Sequence, residues 1–220
     1  MTPIWAPLWL SLRIALIATL LVSVIAVPLA YLMSRKRFVG KSVVESLITV
    51  PLVLPPTVVG YLLVVTLGSR GWLGQWLRRW FDYNILFTFE GAVLAAAVVA
   101  LPLLYLPAKA AFGTVERELE DIARLYGAGS LSIFWHVSIP LARRGILSGL
   151  LLAFARALGE FGATAMVFGI RSDRTTLPIL IYYEWDTGQL QNALAAVVAL
   201  VAMSLGLIAA YNHSAAGRPE

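Results

Sequence analysis

The sequence predicts an all-α, polytopic membrane protein. Three observations point there. Of the 220 residues, 60% are hydrophobic and only 13% are charged, whereas a soluble domain lies nearer half apolar and a quarter charged. The apolar residues are gathered into continuous runs, several longer than the ~18 residues that suffice to cross a bilayer as a helix. Those runs lack the short alternating segments that mark a membrane β-barrel. The chain contains no cysteine, which removes disulfides, thiolate metal sites and cysteine nucleophiles. The net charge of +5 suits basic loops beside a membrane, and no nucleic-acid partner is expected.

Five spans are expected in one transmembrane domain covering residues 1–220, at about 8–33, 44–67, 91–112, 145–168 and 190–211. The first begins without the basic region and cleavage site of a signal peptide, so it reads as a permanent span. It carries Arg13, which can snorkel or face the bundle. The second carries Pro51, Pro55 and Pro56. Proline removes helical hydrogen bonds, and broken backbone at membrane depth survives only against protein or beside a wet cavity. Thr57, Gly60 and Tyr61 follow directly. If the break lines a path, their hydroxyls and free amides are candidate donors to an anion; a packed kink is the alternative. Trp72, Trp76 and Trp80, four apart, predict a short helix lying at the outer interface.

In the fourth span Gly145, Gly149, Ala153 and Ala157 recur every fourth residue. Small side chains at that spacing let helices approach closely, within one subunit or across a dimer. Arg156 and Glu160 lie four apart in the same span, so they can pair along one helix face. In the other reading Arg156 faces a translocation path, where its charge attracts a dianion and Glu160 moderates the attraction. Gly159 and Gly162 give this span a place to flex or break. The fifth span reads as another plain apolar helix.

Basic residues orient the chain, because cytoplasmic loops carry the excess. With the N-terminus outside, the inner segments hold Arg35, Lys36, Arg37, Lys41, Lys109, Arg117, Arg124, Arg143, Arg144 and Arg218. The outer loops hold Arg70, Arg78, Arg79, Arg171 and Arg174. Ten against five favours an outer N-terminus and a cytoplasmic C-terminus.

That orientation places the loop of about 113–144 in the cytoplasm. It contains ELEDIARLYGAGSLSIFWHVSIPLARR, residues 118–144. As a helix, 118–126 puts Leu119, Ile122, Ala123 and Tyr126 on one face and Glu120, Asp121 and Arg124 on the other. Gly127 and Gly129 break it. Ser130 is expected to cap a second short helix, and Pro140 to stop regular continuation. Anionic lipid repels so acidic a helix. A protein partner suits its mixed face better.

This stretch resembles the loop signature of binding-protein-dependent ABC importer permeases: Glu-Ala-Ala, three residues, Gly, nine residues, then Ile-x-Leu-Pro. Asp121-Ile122-Ala123, Gly127 and Val137-x-Ile139-Pro140 match it in spacing, with Asp for Glu and Ile122 for the middle Ala as the main departures. PLVLPPTVVGYLL (51–63), FEGAVLAAAVVALPLL (89–104) and LAFARALGEFGATAMVFG (152–169) are similar to molybdate permeases, and the likeness runs from about residue 8 to 211. The resemblance implies a type I ABC importer permease fold whose cytoplasmic coupling helix docks on a separate ATPase. It implies that Glu120, Asp121, Ala123, Gly127, Ala128, Gly129, Ser130 and Pro140 form the coupling loop. The path candidates are Pro55, Pro56, Thr57, Tyr61, Arg156 and Glu160. It further implies a homodimer, two ATPase subunits holding ATP and Mg, an oxyanion-binding protein at the outer face, and a prokaryotic inner membrane with its lipid. The expected cargo is molybdate or tungstate, with sulfate as the alternative.

No site for chemistry on this chain emerges. Gly40-Lys41-Ser42 looks like the end of a phosphate loop, but Arg35 stands where the first glycine belongs and no strand precedes it. His136 and His213 are isolated. Ser148 and Ser204 are expected to bond helical carbonyls. No catalytic residue, metal site or cofactor is therefore expected on this chain. A membrane-embedded enzyme using Glu160 with Arg156 is the rival, and it lacks a further catalytic group at similar depth.

Overall fold

A computed structural model describes residues 4–170 and 175–216. Arg171, Arg174 and Arg218, used above for orientation, lie outside them. The described residues form helices and no strand. In order they are α1 (Trp5–Arg35), α2 (Lys41–Val53), α3 (Pro56–Leu67), α4 (Trp72–Phe81), α5 (Phe89–Thr114), α6 (Arg117–Leu125) and α7 (Ser130–Ile133). A π-helical turn (Phe134–Ser138) then leads into α8 (Ile139–Leu158), α9 (Gly162–Phe168), α10 (Leu177–Asp186) and α11 (Leu190–Ala216).

Four stretches are long and apolar enough to cross a membrane: Trp5–Arg35, Phe89–Thr114, Ser130–Leu158 and Leu190–Ala209; α2 with α3 makes a fifth, bent by 116°. The sharp bend has a local cause. Leu54 is extended, Pro55 follows, and Pro56 opens α3. A residue before proline is pushed out of the helical region, and a proline in the first helical turn gives up only an amide that has no partner there.

The centre of the bundle is α5. Ala92, Ala95, Ala96, Ala100, Leu104, Tyr105, Ala108 and Phe112 are wholly buried between α1, α8 and α9. Thr88 starts this helix by accepting a hydrogen bond from the Gly91 amide at 3.2 Å. The fourfold small-residue row is intramolecular at Gly145 and Gly149. A Cβ on Gly145 would lie 2.4 Å from the Ala111 Cβ, and one on Gly149 would lie 3.0 Å from the Leu104 carbonyl. Side chains are missing there because α8 touches α5 almost backbone to backbone.

The tryptophan helix forms as expected. α4 exposes Trp72, Trp76, Trp80 and Phe81 and turns Gly74 inward, where a Cβ would stand 2.0 Å from the Gly68 carbonyl oxygen. No helix is expected between Phe168 and Leu190 from the apolar pattern. The structure places α10 there, started by Pro178 in its first turn and docked on α1 by Leu177 N–H donating to Ser11 Oγ at 2.8 Å.

Gly145→Ala should lower the stability of detergent-purified protein by about 1–3 kcal/mol, the usual cost of overpacking. Ala111→Gly in the same chain should return part of it. Thermal unfolding of the two variants checks this.

Candidate functional site

The site residues expected from the sequence fall in two regions of the described structure. The first lies where the broken spans meet. The expected fourth span is not continuous: α8 ends at Leu158, and Gly159, Glu160 and Phe161 carry the chain into α9. The second span breaks at Leu54–Pro55. The breaks lie against each other. A Cβ on Gly162 would stand 3.0 Å from the Thr57 amide nitrogen, and one on Gly60 would stand 2.8 Å from the Ala163 Cα. At Gly60 the crossing of α3 and α9 leaves no room for a side chain, and at Gly162 a Cβ would be tight against Thr57 and Pro56.

Glu160 holds this crossing. Its side chain is 1% exposed; Oε2 pairs with Arg156 Nη1 at 2.6 Å, and Oε1 accepts the Ala163 N–H at 2.7 Å. The carboxylate therefore satisfies a backbone donor that the break released, and it faces the positive end of α9. The expected pairing of Arg156 with Glu160 is present, although α8 ends at Leu158, between the two residues. Arg156 keeps 30% of its side chain exposed. Among the other path candidates, Pro55, Thr57 and Tyr61 are exposed and Pro56 is half-buried.

The second region is the loop between α5 and α8. Gly127 has φ of +85°, the left-handed conformation in which glycine carries no penalty. Its N–H donates to the Arg124 carbonyl and that of Ala128 to the Ala123 carbonyl, the paired bonds of a Schellman helix end. Asp121, Gly127, Gly129, Ser130 and Pro140 are exposed, while Ala123 and Ala128 are half-buried. Leu125 and Tyr126 are 87% and 89% exposed, so the apolar side of this turn faces away from the protein.

Three expectations for this loop need correction. Glu120 does not share the solvent face with Asp121 and Arg124: it is 2% exposed and turned into the protein. Its Oε1 receives Arg35 Nε at 3.0 Å and Ser138 Oγ at 2.8 Å, so a strong buried acceptor is matched by two donors. Asp121 instead pairs with Arg124 on the outer face. Ser130 does not cap α7, since Gly129 occupies the cap position without a side-chain bond. Pro140 does not stop the helix. It sits in the first turn of α8, where the π-helical turn before it has already displaced the hydrogen bonds that a proline forfeits.

Arg35 and Ser138 are partners that sequence reasoning missed. Arg35 lies 85 residues from Glu120, and nothing local links them. The same holds for Lys109 and Glu45, which pair at 2.6 Å between α5 and α2. These contacts put the loop between α1 and α2 at the same end as the loop between α5 and α8, and α4 lies at the other end. His136 bonds the Ser132 carbonyl within its own helix.

Comparison with known proteins follows the same lines. Residues 23–216 match the family described as binding-protein-dependent transport system inner membrane component. The chain belongs to this family. It is a multi-pass inner-membrane component of a transport system and not an enzyme, which removes the rival built on Glu160 and Arg156. It is 40% identical over 207 residues to the molybdenum transport system permease protein ModB of Escherichia coli K12, covering 94% of this chain and 90% of that one. It is 35% identical over 199 residues to the sulfate transport system permease protein CysW of a Synechocystis species, covering 90% and 72%. Among solved structures, a bacterial alginate ABC transporter, crystallised with its alginate-bound periplasmic protein, has the same fold. The TM-score is 0.70 at 15% identity, covering 94% of this chain and 76% of that one. The type I ABC importer fold expected from the sequence is therefore the fold observed.

Arg156→Met should destabilise the protein by about 3 kcal/mol, because it strands the buried Glu160 carboxylate. Adding Glu160→Gln should recover most of that loss, since the amide oxygen can still accept the Ala163 N–H. Unfolding of both variants in detergent provides the comparison.

Proposed function

We propose that the chain is the membrane-spanning subunit of an ATP-driven importer for molybdate, the dianion in which molybdenum dissolves, and that tungstate shares the route. The observation that carries this reading is the 40% identity to a molybdenum permease over 94% of the chain. The sulfate relative is less similar and is matched over less of its own length, which ranks sulfate second.

The assembly we infer has two copies of this chain enclosing one path. Two ATPase subunits, holding ATP and Mg, grip the two loops around Gly127–Ser130. A soluble binding protein delivers the oxyanion at the outer face, where the N-terminus and α4 lie; the basic end is cytoplasmic. Its basic excess, from Arg35 to Lys41 and at Arg117, Arg143 and Arg144, supports that sidedness. The exposed apolar residues Leu125, Tyr126 and Leu131 at the loop suit a protein cleft. Pro55, Pro56, Thr57, Tyr61 and Arg156 are the path residues in this reading; Glu160, expected there too, is buried behind Arg156 and acts on the path only through it. A guanidinium already paired with a carboxylate offers an oxyanion a moderated attraction, enough to draw it in and too little to hold it. ATP-driven closure of the ATPases moves the loops and exchanges inward-facing for outward-facing states.

Competitive uptake into proteoliposomes bearing the whole complex tests the cargo. Tungstate should compete with molybdate, and sulfate in excess should leave uptake intact; displacement by sulfate would move the assignment to sulfate. Gly127→Trp forces a bulky residue into the left-handed conformation on the docking face. It should abolish both ATPase co-purification and uptake, and unchanged levels of both would remove the loop from the coupling role.

A further inference from the structure

Glu120 stands out among the charged residues of the loop. The motif surrounding it is a docking surface in the reading above, yet this carboxylate is 2% exposed and cannot be touched by a partner. Arg35, the last residue of α1, reaches it with Nε at 3.0 Å and with Nη2 at 2.9 Å. The same guanidinium donates to the Val115 carbonyl at 3.0 Å, directly after α5. Ser138, the last residue of the π-helical turn and the entry to α8, donates to Glu120 Oε1 at 2.8 Å. Arg124, one turn along α6, lies 3.6 Å from Oε2. A single carboxylate thus ties α6 to the inner ends of α1 and α8, and Arg35 extends the tie to the end of α5.

Such a cluster resists dismantling. Separating a buried carboxylate from its donors leaves an uncompensated charge in a poorly solvated site, a far larger loss than parting an exposed pair. α6 therefore cannot roll or slide independently of α1 and α8. Packing alone would impose this only weakly: Leu125 and Tyr126 point outward and Leu119 and Ile122 are about half exposed, so α6 has little apolar grip on the bundle.

We propose that Glu120 is a positioning residue for transport: through Arg35 and Ser138 it converts movement of a docked ATPase into movement of α1 and α8. This rests on the reading of the loop as the ATPase-gripped handle. Within that reading it divides two adjacent acids between two tasks. Asp121, exposed and paired with Arg124, meets the partner; Glu120 carries the motion inward.

The test uses the intact complex in proteoliposomes and measures ATPase retained, together with ATP hydrolysed per molybdate imported. Glu120→Gln removes the charge, Ser138→Ala removes one donor while keeping the ion pair, and Asp121→Asn is the outer-face comparison. Glu120→Gln and Ser138→Ala should keep the ATPase bound and raise the ATP consumed per ion about fivefold or more, within the range of lost coupling contacts. Asp121→Asn should weaken ATPase retention and leave the ratio unchanged. A residue serving only stability would reduce the amount of complex recovered without changing the ratio in what remains, and that result overturns the proposal. So does loss of the ATPase from Glu120→Gln, which would make Glu120 a contact. If Glu120→Gln fails to assemble, Ser138→Ala decides by the same ratio. Failure of the unmodified chain to retain any ATPase overturns the coupling reading itself, an outcome separate from all of these.

Discussion

An amide or carbonyl freed from its helix has no water to turn to inside hydrocarbon. Both broken spans are built around that constraint. The break at Pro55 uses residues that need fewer partners, since proline has no N–H and Pro56 occupies a turn whose amides lack helical acceptors in any case. The break at Gly159–Phe161 uses a side chain, with Glu160 taking the Ala163 N–H. Each break is then covered by the helix beyond the other, α3 on α9, through Gly60 and Gly162. The cost of interrupting one span is thereby offset by interrupting the other at the same place. The Arg156–Glu160 pair belongs to the same arrangement: the carboxylate that caps the break needs a counter-charge, and the preceding helical turn supplies one.

Much of this was legible in the sequence because it depends on local rules. Long apolar runs announced the spans. Three prolines announced the first break, and Gly159 with Gly162 marked the second as a place to yield. The fourfold spacing of Trp72, Trp76 and Trp80 announced α4, and Gly127 announced the turn after α6. The match between Arg156 and Glu160 followed from helical spacing alone.

What escaped was decided over long distances. A pattern on α6 separates apolar from polar positions but does not say which side faces inward. In a soluble domain the apolar side would turn in; here the bundle is already packed by α1, α5 and α8, and Arg35 recruits Glu120 instead. Pro140 departs from its usual effect for a related reason. Its effect depends on the turn before it, and a π-helical turn changes the hydrogen bonds a proline would break. α10 escaped because a ten-residue helix between two spans has too short a pattern to separate from a loop.

The stretch from Ser130 to Leu158 is continuous for 29 residues, π-helical turn included. It is anchored at Ser138, its ninth residue, and its far end carries Arg156. From that anchor to Leu158, at ~1.5 Å per residue, it makes a lever roughly 30 Å long, so a tilt of about 5° at Ser138 displaces the tip by roughly 3 Å. That travel is comparable with the length of a hydrogen bond. A small tilt at the base of this helix is thus delivered, undiminished by any break, to the Arg156–Glu160 pair beside the crossing of α3 and α9.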